Sequence, residues 1–279
     1  YQYAREVFGP KASILKLGLV NPLPKQKILD FAKTVDKLIV VEELDGVIET
    51  HCRTLGLDVT GKALFGLEGE LSQNLVAEKL GLPVHTGKAL DEPIPPRPPV
   101  MCAGCPHRAS FYAVKQAMKG RRSVFCGDIG CYTLGWLAPF HAIDTCVDMG
   151  ASITMAKGAA DAGQHPSVAV IGDSTFTHSG MTGLLDAVNE RADITVIISD
   201  NLTTGMTGGQ DSAGTGRLEQ ICAGIGVDPA HIRTVVPLPK NREEMKAVIR
   251  EEIAHRGVSV IIPRRECIQT AKRHNAAKK

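Results

Sequence analysis

The chain carries no marked excess of either charge: 32 Lys and Arg face 30 Asp and Glu, a formal net charge of +2. Composition therefore gives no reason to expect a nucleic acid or a membrane surface as partner. No apolar run approaches the ~20 residues that a transmembrane helix needs, and no secretory leader is visible. Internal repeats and low-complexity tracts are lacking, which argues against a repeat array. Cysteine is not scarce, with eight in 279 residues. A chain this long can build a core without disulfide staples, and a Cys-x-x-Cys in an α/β pattern reads more readily as metal or redox chemistry. The expected location is the cytoplasm.

What is there alternates strand-like and helix-like patterns. In residues 1–91 the apolar runs Ala12–Leu17 and Leu38–Val41 read as strands, with Lys25–Lys37 between them as a helix behind Pro24. Ala63–Phe65 reads as a shorter strand and Leu71–Leu80 as a helix. Residues 92–99 are a linker in which Pro93, Pro95, Pro96, Pro98 and Pro99 exclude helix and central strand. Residues 100–279 form a larger α/β domain with a basic tail that includes Arg264, Arg265, Lys272, Arg273, Lys278 and Lys279. Its expected strands are 124–126, 167–171, 194–198, 232–236 and 258–262. Its expected helices are 109–118, 149–162, 181–192, 218–224 and 241–255. The tail is read as solvated, with steering of an acidic partner as the alternative.

The most informative segment is Gly172-Asp173-Ser174, followed by Asn201-Leu202-Thr203 and the glycine-rich loop Gly205-Met206-Thr207-Gly208-Gly209-Gln210. Each of the first two follows a short β-branched apolar run of the kind found in parallel strands buried on both faces. With the helix between them they form a right-handed crossover, whose ligands bind at the strands' carboxyl ends. Adjacent strands lie about 4.8 Å apart, so Asp173 and Asn201 would reach one small cation together. The Asp173 carboxylate, the Asn201 amide and the Thr203 carbonyl suit Mg²⁺, which takes oxygen ligands and leaves places for phosphate and water. A diphosphate beside a bare Asp173 would meet roughly 4 kcal/mol of repulsion per like-charge pair at 4 Å. Read alone, Gly-Asp-Ser is an ordinary turn after a strand.

Gly-Asp-Ser…Asp-Asn resembles the metal and diphosphate motif of thiamine-diphosphate enzymes, with Ser174 where many members have glycine. The loop Gly-Met-Thr-Gly-Gly-Gln resembles that of the 2-oxoacid:ferredoxin oxidoreductases. Two more segments, 101–108 (Met-Cys-Ala-Gly-Cys-Pro-His-Arg) and 127–135 (Gly-Asp-Ile-Gly-Cys-Tyr-Thr-Leu-Gly), are similar to the large subunit of the indolepyruvate-type enzymes. The resemblance implies an α/β, mostly parallel-sheet thiamine-diphosphate-binding fold, preceded by a smaller transketolase C-terminal-like domain. It implies oxidative decarboxylation of an aryl 2-oxoacid to an acyl-CoA, with ferredoxin as electron acceptor and thiamine diphosphate and Mg²⁺ as cofactors. Gly205, Met206 and Thr207 would line the cofactor with Gly172 and Ser174, and Gly130 and Cys131 match positions beside the thiazolium ring. Met149 and Gly150 open a helix whose free N–H groups would face the diphosphate.

Cys102 and Cys105 have the spacing of two thiolates on one metal centre, which fits zinc and iron–sulfur chemistry alike. Two further ligands would come from Cys52, Cys126, Cys131, Cys146, Cys222 and Cys267. The resemblance picks Cys131 and Cys267, giving one [4Fe–4S] cluster, while Cys52 and Cys222 read as buried apolar side chains. His107 is a candidate for substrate or cluster contact, with Arg108 beside it; His178 is a weaker candidate. Family large subunits carry a pyrimidine-binding domain before this region and a ferredoxin-like domain after it. Neither is found in a sequence that starts with Tyr1 and has no Cys-x2-Cys-x2-Cys-x3-Cys-Pro run. The chain is accordingly expected to be a fragment, a processed product or a split subunit. It would be nearly inactive alone, needing a partner half-site, a small subunit, ferredoxin and coenzyme A. The rival readings are a non-redox thiamine decarboxylase or carboligase, and a structural subunit that binds zinc through Cys102 and Cys105.

Overall fold

The computed structural model describes residues 1–88 and 91–277; Lys278 and Lys279 of the basic tail lie outside them. The chain divides into two compact units, Tyr1–Pro95 and Pro96–Lys279, and the division falls inside the proline-rich stretch.

The first unit is small. Strands β1 (Leu38–Ile39) and β2 (Val59–Thr60) pair in parallel, and helices Gln2–Phe8, Lys25–Ala32, Val47–Thr54 and Gln73–Lys79 accompany them. Ile28, Val40, Cys52 and Val59 form one apolar cluster, and Phe65, Leu71 and Val76 form another. Two sequence expectations change. Ala12–Leu17 joins no sheet, although Leu15 and Leu17 pack on the first cluster. Ala63–Phe65 belongs to a one-turn helix, Lys62–Phe65, rather than a strand. An apolar triplet fits either state, and here the Glu49 carboxylate decides by accepting the Lys62 N–H at 2.6 Å. The helix Val47–Thr54 escapes the sequence reading; its first N–H groups, from Ile48 and Glu49, are held by the Glu42 carboxylate.

The second unit is a six-stranded, wholly parallel sheet. Its strands are β3 (Val124–Gly127), β4 (Thr145–Cys146), β5 (Ser167–Gly172), β6 (Ile194–Ser199), β7 (Ile232–Val235) and β8 (Ser259–Pro263), in the order β4-β3-β5-β6-β8-β7. Every residue of β5, β6 and β8 is buried, as expected of parallel strands covered on both sides. The two-residue strand period divides them between two cores. Val168, Val170, Ile197 and Ile261 face helices Pro106–Ala117 and Arg242–Ala254. Ala169, Ile171, Val196, Ile198, Val260 and Ile262 face helices Ala151–Asp161, Met181–Asn189 and Leu218–Ile225. From β3 the chain moves to β4 on one side, and from β5 to β6 on the other, so the crevice between β3 and β5 is a topological switch point.

The helix after β5 begins earlier than its apolar periodicity predicts. Asp173–Thr175 is already helical, Phe176–Gly180 forms a widened π turn, and Met181–Asn189 continues. Burial of Phe176, with Gly180 pressed between Phe176 and Ile171, holds this polar stretch in place. Likewise, Ile268–Ala277 of the tail is a helix rather than a loose end.

Candidate cofactor site

The carboxyl ends of β5 and β6 are level, with Gly172 opposite Ser199, and this register brings Asp173 and Asn201 together. Gly172 is glycine for a packing reason: a Cβ there would lie 2.5 Å from the Tyr132 ring, as it would at Gly130. Tyr132, buried and donating to the Ile129 carbonyl at 2.8 Å, therefore wedges the β3 and β5 turns against each other. Burial raises its phenol above the ordinary range.

Asp173 is 2% exposed, and its Oδ2 has no hydrogen-bond partner among the described residues. Burial pushes its carboxyl up to about 6; a Ser212 hydrogen bond opposes the rise and nearby Asp200 adds to it. A charged oxygen stranded in the interior is costly unless something pairs with it. A divalent cation is such a partner, so the donor set of Asp173, Asn201 and Thr203 fits Mg²⁺. Asn201 and Thr203 are buried with it, and Asn201 Oδ1 accepts the Thr203 N–H at 3.2 Å. Among the described residues no three His, Cys, Asp or Glu side chains converge to hold one metal ion; the Mg²⁺ set needs only one of those residue types.

His107, 3% exposed, lies 3.3 Å from the Asn201 amide nitrogen through its Nε2. Burial lowers its imidazole to about 4, so the ring is neutral at physiological pH. An amide nitrogen only donates, which makes Nε2 the acceptor and puts the ring proton on Nδ1. His107 thereby fixes which way the Asn201 amide points. The contact the structure gives His107 is thus with Asn201. His178 is exposed on the π turn.

Ser174, the departure from the family's usual glycine, accepts a hydrogen bond from Thr204 at 2.9 Å and so ties the two strand ends together. Behind it the glycine loop is closed by Thr204 N–H and Thr203 Oγ1, both donating to the Gln210 carbonyl at 2.9 and 2.8 Å. Gly205 approaches Cys131: a Cβ on it would stand 3.4 Å from the thiol sulfur. Met206 is exposed and Thr207 bonds the Gln210 side chain at 2.6 Å.

Met149 and Gly150 are placed differently from expectation. The Gly150 and Ser152 N–H groups, offered by the sequence to a diphosphate, donate to the buried Asp128 carboxylate at 2.9 and 3.1 Å. Gly150 has φ +100° and faces the Ser179 carbonyl, where a Cβ would sit at 2.8 Å. The Met149 carbonyl accepts from Ser179. Asp128 went unassigned in the sequence, yet the signal was present: Gly127-Asp128 ends β3 as Gly172-Asp173 ends β5.

The eight cysteines are free. Cys105 precedes the helix Pro106–Ala117; burial pushes its thiol up to about 11, opposed by the His107 N–H and raised further by Cys131 and Cys102. Burial likewise raises Cys131, with Cys267 and Cys102 adding to it. Cys131 thus feels the charge of Cys102 and Cys267, and Cys105 that of Cys131 and Cys102, although no three of these thiols converge on one metal position among the described residues. Cys52 and Cys222 are buried in apolar clusters.

Residues 128–262 match the family of thiamine pyrophosphate enzymes, C-terminal TPP binding domain. The chain is 37% identical to indolepyruvate oxidoreductase subunit IorA of Archaeoglobus fulgidus, over 96% of this chain and 47% of that protein. It is 32% identical to the same subunit of Pyrococcus horikoshii, over 96% of this chain and 48% of that one. The chain is thus similar to these IorA subunits over nearly its whole length. It spans about half the length of the curated relatives it matches. A 2-oxoglutarate:ferredoxin oxidoreductase from Magnetococcus marinus superposes with a TM-score of 0.51 at 17% identity, covering 61% of this chain and 65% of that one. That likeness is one of fold. The region 128–262 matched to the TPP binding domain contains Asp128, Asp173, Asn201 and the glycine loop.

Proposed function

We propose that this chain is the thiamine-diphosphate-binding part of a 2-oxoacid:ferredoxin oxidoreductase that acts on aryl 2-oxoacids of the indolepyruvate type. The observation that carries the reading is the buried, unpartnered carboxylate oxygen of Asp173 at the end of β5, within a segment matched to a TPP-binding domain. The substrate class rests on the names of the relatives.

In this reading Asp173, Asn201 and Thr203 hold Mg²⁺, and Gly205, Met206 and Thr207 line the cofactor. When bound, thiamine diphosphate supplies the nucleophilic carbon and the electron-accepting ring that decarboxylation of a 2-oxoacid requires. The chain's residues bind and orient. Asp173 balances the cation, His107 sets the Asn201 amide, and Tyr132 packs between the β3 and β5 turns. By the family resemblance Cys102, Cys105, Cys131 and Cys267 would hold a [4Fe–4S] cluster as the one-electron acceptor. That requires the four thiols to draw closer together than they stand here, where no three of them converge among the described residues. Exposed Ile129, Trp136, Met149 and Met206 leave apolar surface for a partner chain or domain that contributes the pyrimidine half-site. A small subunit, ferredoxin and coenzyme A complete the reaction, and the smaller first unit takes the place of the transketolase C-terminal-like domain.

The test is an anaerobic preparation titrated with Mg²⁺ and thiamine diphosphate, alongside metal analysis and an absorption spectrum. Cofactor binding that Asp173→Asn abolishes, with iron and a broad band near roughly 400 nm, is the expected result. Zinc without iron would sink the redox part, and no cofactor binding with any partner subunit would sink the whole reading.

A further inference from the structure

The tail helix Ile268–Ala277 makes contacts that a solvated end would not. Gln269 Nε2 lies 3.4 Å from the Cys102 sulfur, and Arg273 Nη1 donates to the Gly208 carbonyl at 2.8 Å. Residues four apart share one helix face, so a single face spans the distance from the cysteine pair to the glycine loop. At its start, the Cys267 N–H donates to the Asn201 carbonyl at 3.0 Å, which ties the helix to the metal-site strand end.

The loop has reason to need such a tie. Gly208 and Gly209 have φ +126° and +85°, and paired glycines lose more backbone freedom on ordering than other residues. Internal bonds close the loop's base: Gly209 N–H donates to the Thr204 carbonyl at 3.1 Å and Gln210 Nε2 to the Thr207 carbonyl at 2.8 Å. The Gly208 carbonyl is held instead from outside, by Arg273. Gly209 makes room for it, since a Cβ there would stand 3.0 Å from Arg273 Nη1. One glycine of the motif therefore serves the approach of the tail helix.

We infer that Ile268–Ala277 is a clasp that holds the loop 205–210 in its cofactor-binding form, with Arg273 as a positioning residue. Holding a flexible loop in its bound shape removes part of the ordering cost from ligand binding. The inference rests on the proposed reading of this loop as the thiamine-diphosphate loop.

The experiment uses the full chain as wild type, Arg273→Met and Arg273→Lys. Amide hydrogen exchange is followed over residues 205–210, and Mg²⁺–thiamine diphosphate affinity by calorimetry. Arg273→Met is expected to speed exchange across the loop and weaken cofactor binding about fivefold, equivalent to about 1 kcal/mol. Arg273→Lys, which keeps a charged donor without the planar fork, should restore most of both. A purely structural role would lower the melting temperature and leave affinity unchanged once the chain is folded. Loop exchange identical in wild type and Arg273→Met overturns the clasp. Failure of the wild type to bind cofactor even with a partner subunit overturns the reading of the loop, while the exchange measurement still decides whether Arg273 holds it.

Discussion

Asp173 illustrates a conflict between stability and binding at one residue. Its orphaned oxygen costs folding energy in the free chain. Asp173→Asn removes the buried charge, so the cofactor-free variant should be more stable than wild type at pH 7 by about 1–3 kcal/mol. The same variant should lose Mg²⁺-dependent thiamine diphosphate binding. Urea unfolding with and without cofactor reads both effects, and a variant less stable than wild type would count against the buried-charge account. His107 acts one step removed. His107→Leu leaves the Asn201 amide unpaired and free to turn, and should weaken Mg²⁺-dependent binding about tenfold, as loss of an outer-sphere partner does. His107→Gln, which retains an acceptor, should weaken it less. Equal affinities for wild type and His107→Leu would remove His107 from the site.

At the scale of elements, the end of β8 is fastened to β6 and to the helix Leu218–Ile225 by one side chain. Arg264 donates to Asp200 at 2.5 Å and, through two nitrogens, to Glu219 at 2.7 and 2.8 Å. Asp200 is 1% exposed, so Arg264→Met strands a buried charge and should cost about 3–5 kcal/mol, measured as a shift in urea midpoint. Its hydrogen bond to Arg264 is the main cause holding the Glu219 carboxyl down to about 2, from an ordinary 4.5. A carboxyl lowered by folding contributes stability in full above its unfolded value and loses it as pH falls through the folded one. Wild type should therefore lose stability between about pH 4.5 and 2, and Glu219→Gln should show a shallower acid limb. Parallel acid limbs for the two proteins would contradict that assignment.

The strands of this second unit were legible where they were long and β-branched. Ser167–Gly172 and Ile194–Ser199 declare themselves because both faces are covered. Thr145–Cys146 does not, because two residues carry no periodicity. The helical run Asp173–Gly180 was hidden for another reason: its Thr, Ser and Gly residues are poor helix formers alone, and tertiary packing of Phe176 overrides that preference. The tail helix was hidden by its charge. Its contacts are with Cys102 and Gly208, far away in sequence.

For the molecule as a whole, the cofactor site in the proposed reading is a shared one, with a pyrimidine-binding part on a partner chain or domain. The isolated chain should show no turnover of indolepyruvate with ferredoxin and coenzyme A, and addition of a pyrimidine-binding partner should restore it. Substantial turnover by the chain alone would refute the half-site proposal. Cys102→Ser in the anaerobic protein should lose visible absorption while keeping cofactor affinity within about twofold, since in this reading the thiols and the Mg²⁺ set are separate ligand groups.

The order of residues by itself determined the strand–turn–helix units and the chemistry at their ends: a carboxylate after one apolar run, an amide after the next, then a glycine loop. Those follow from local pattern and side-chain type, which neighbouring residues carry. What only the tertiary structure decided is who meets whom. The β5–β6 register sets Asp173 beside Asn201, His107 arrives from a helix that begins well upstream, and Asp128 takes the N–H groups of Gly150 and Ser152. Arg273 closes on the loop from the tail. Each of these contacts joins distant segments. Their partners are chosen by strand register and tertiary packing between distant segments, which no local stretch of sequence encodes.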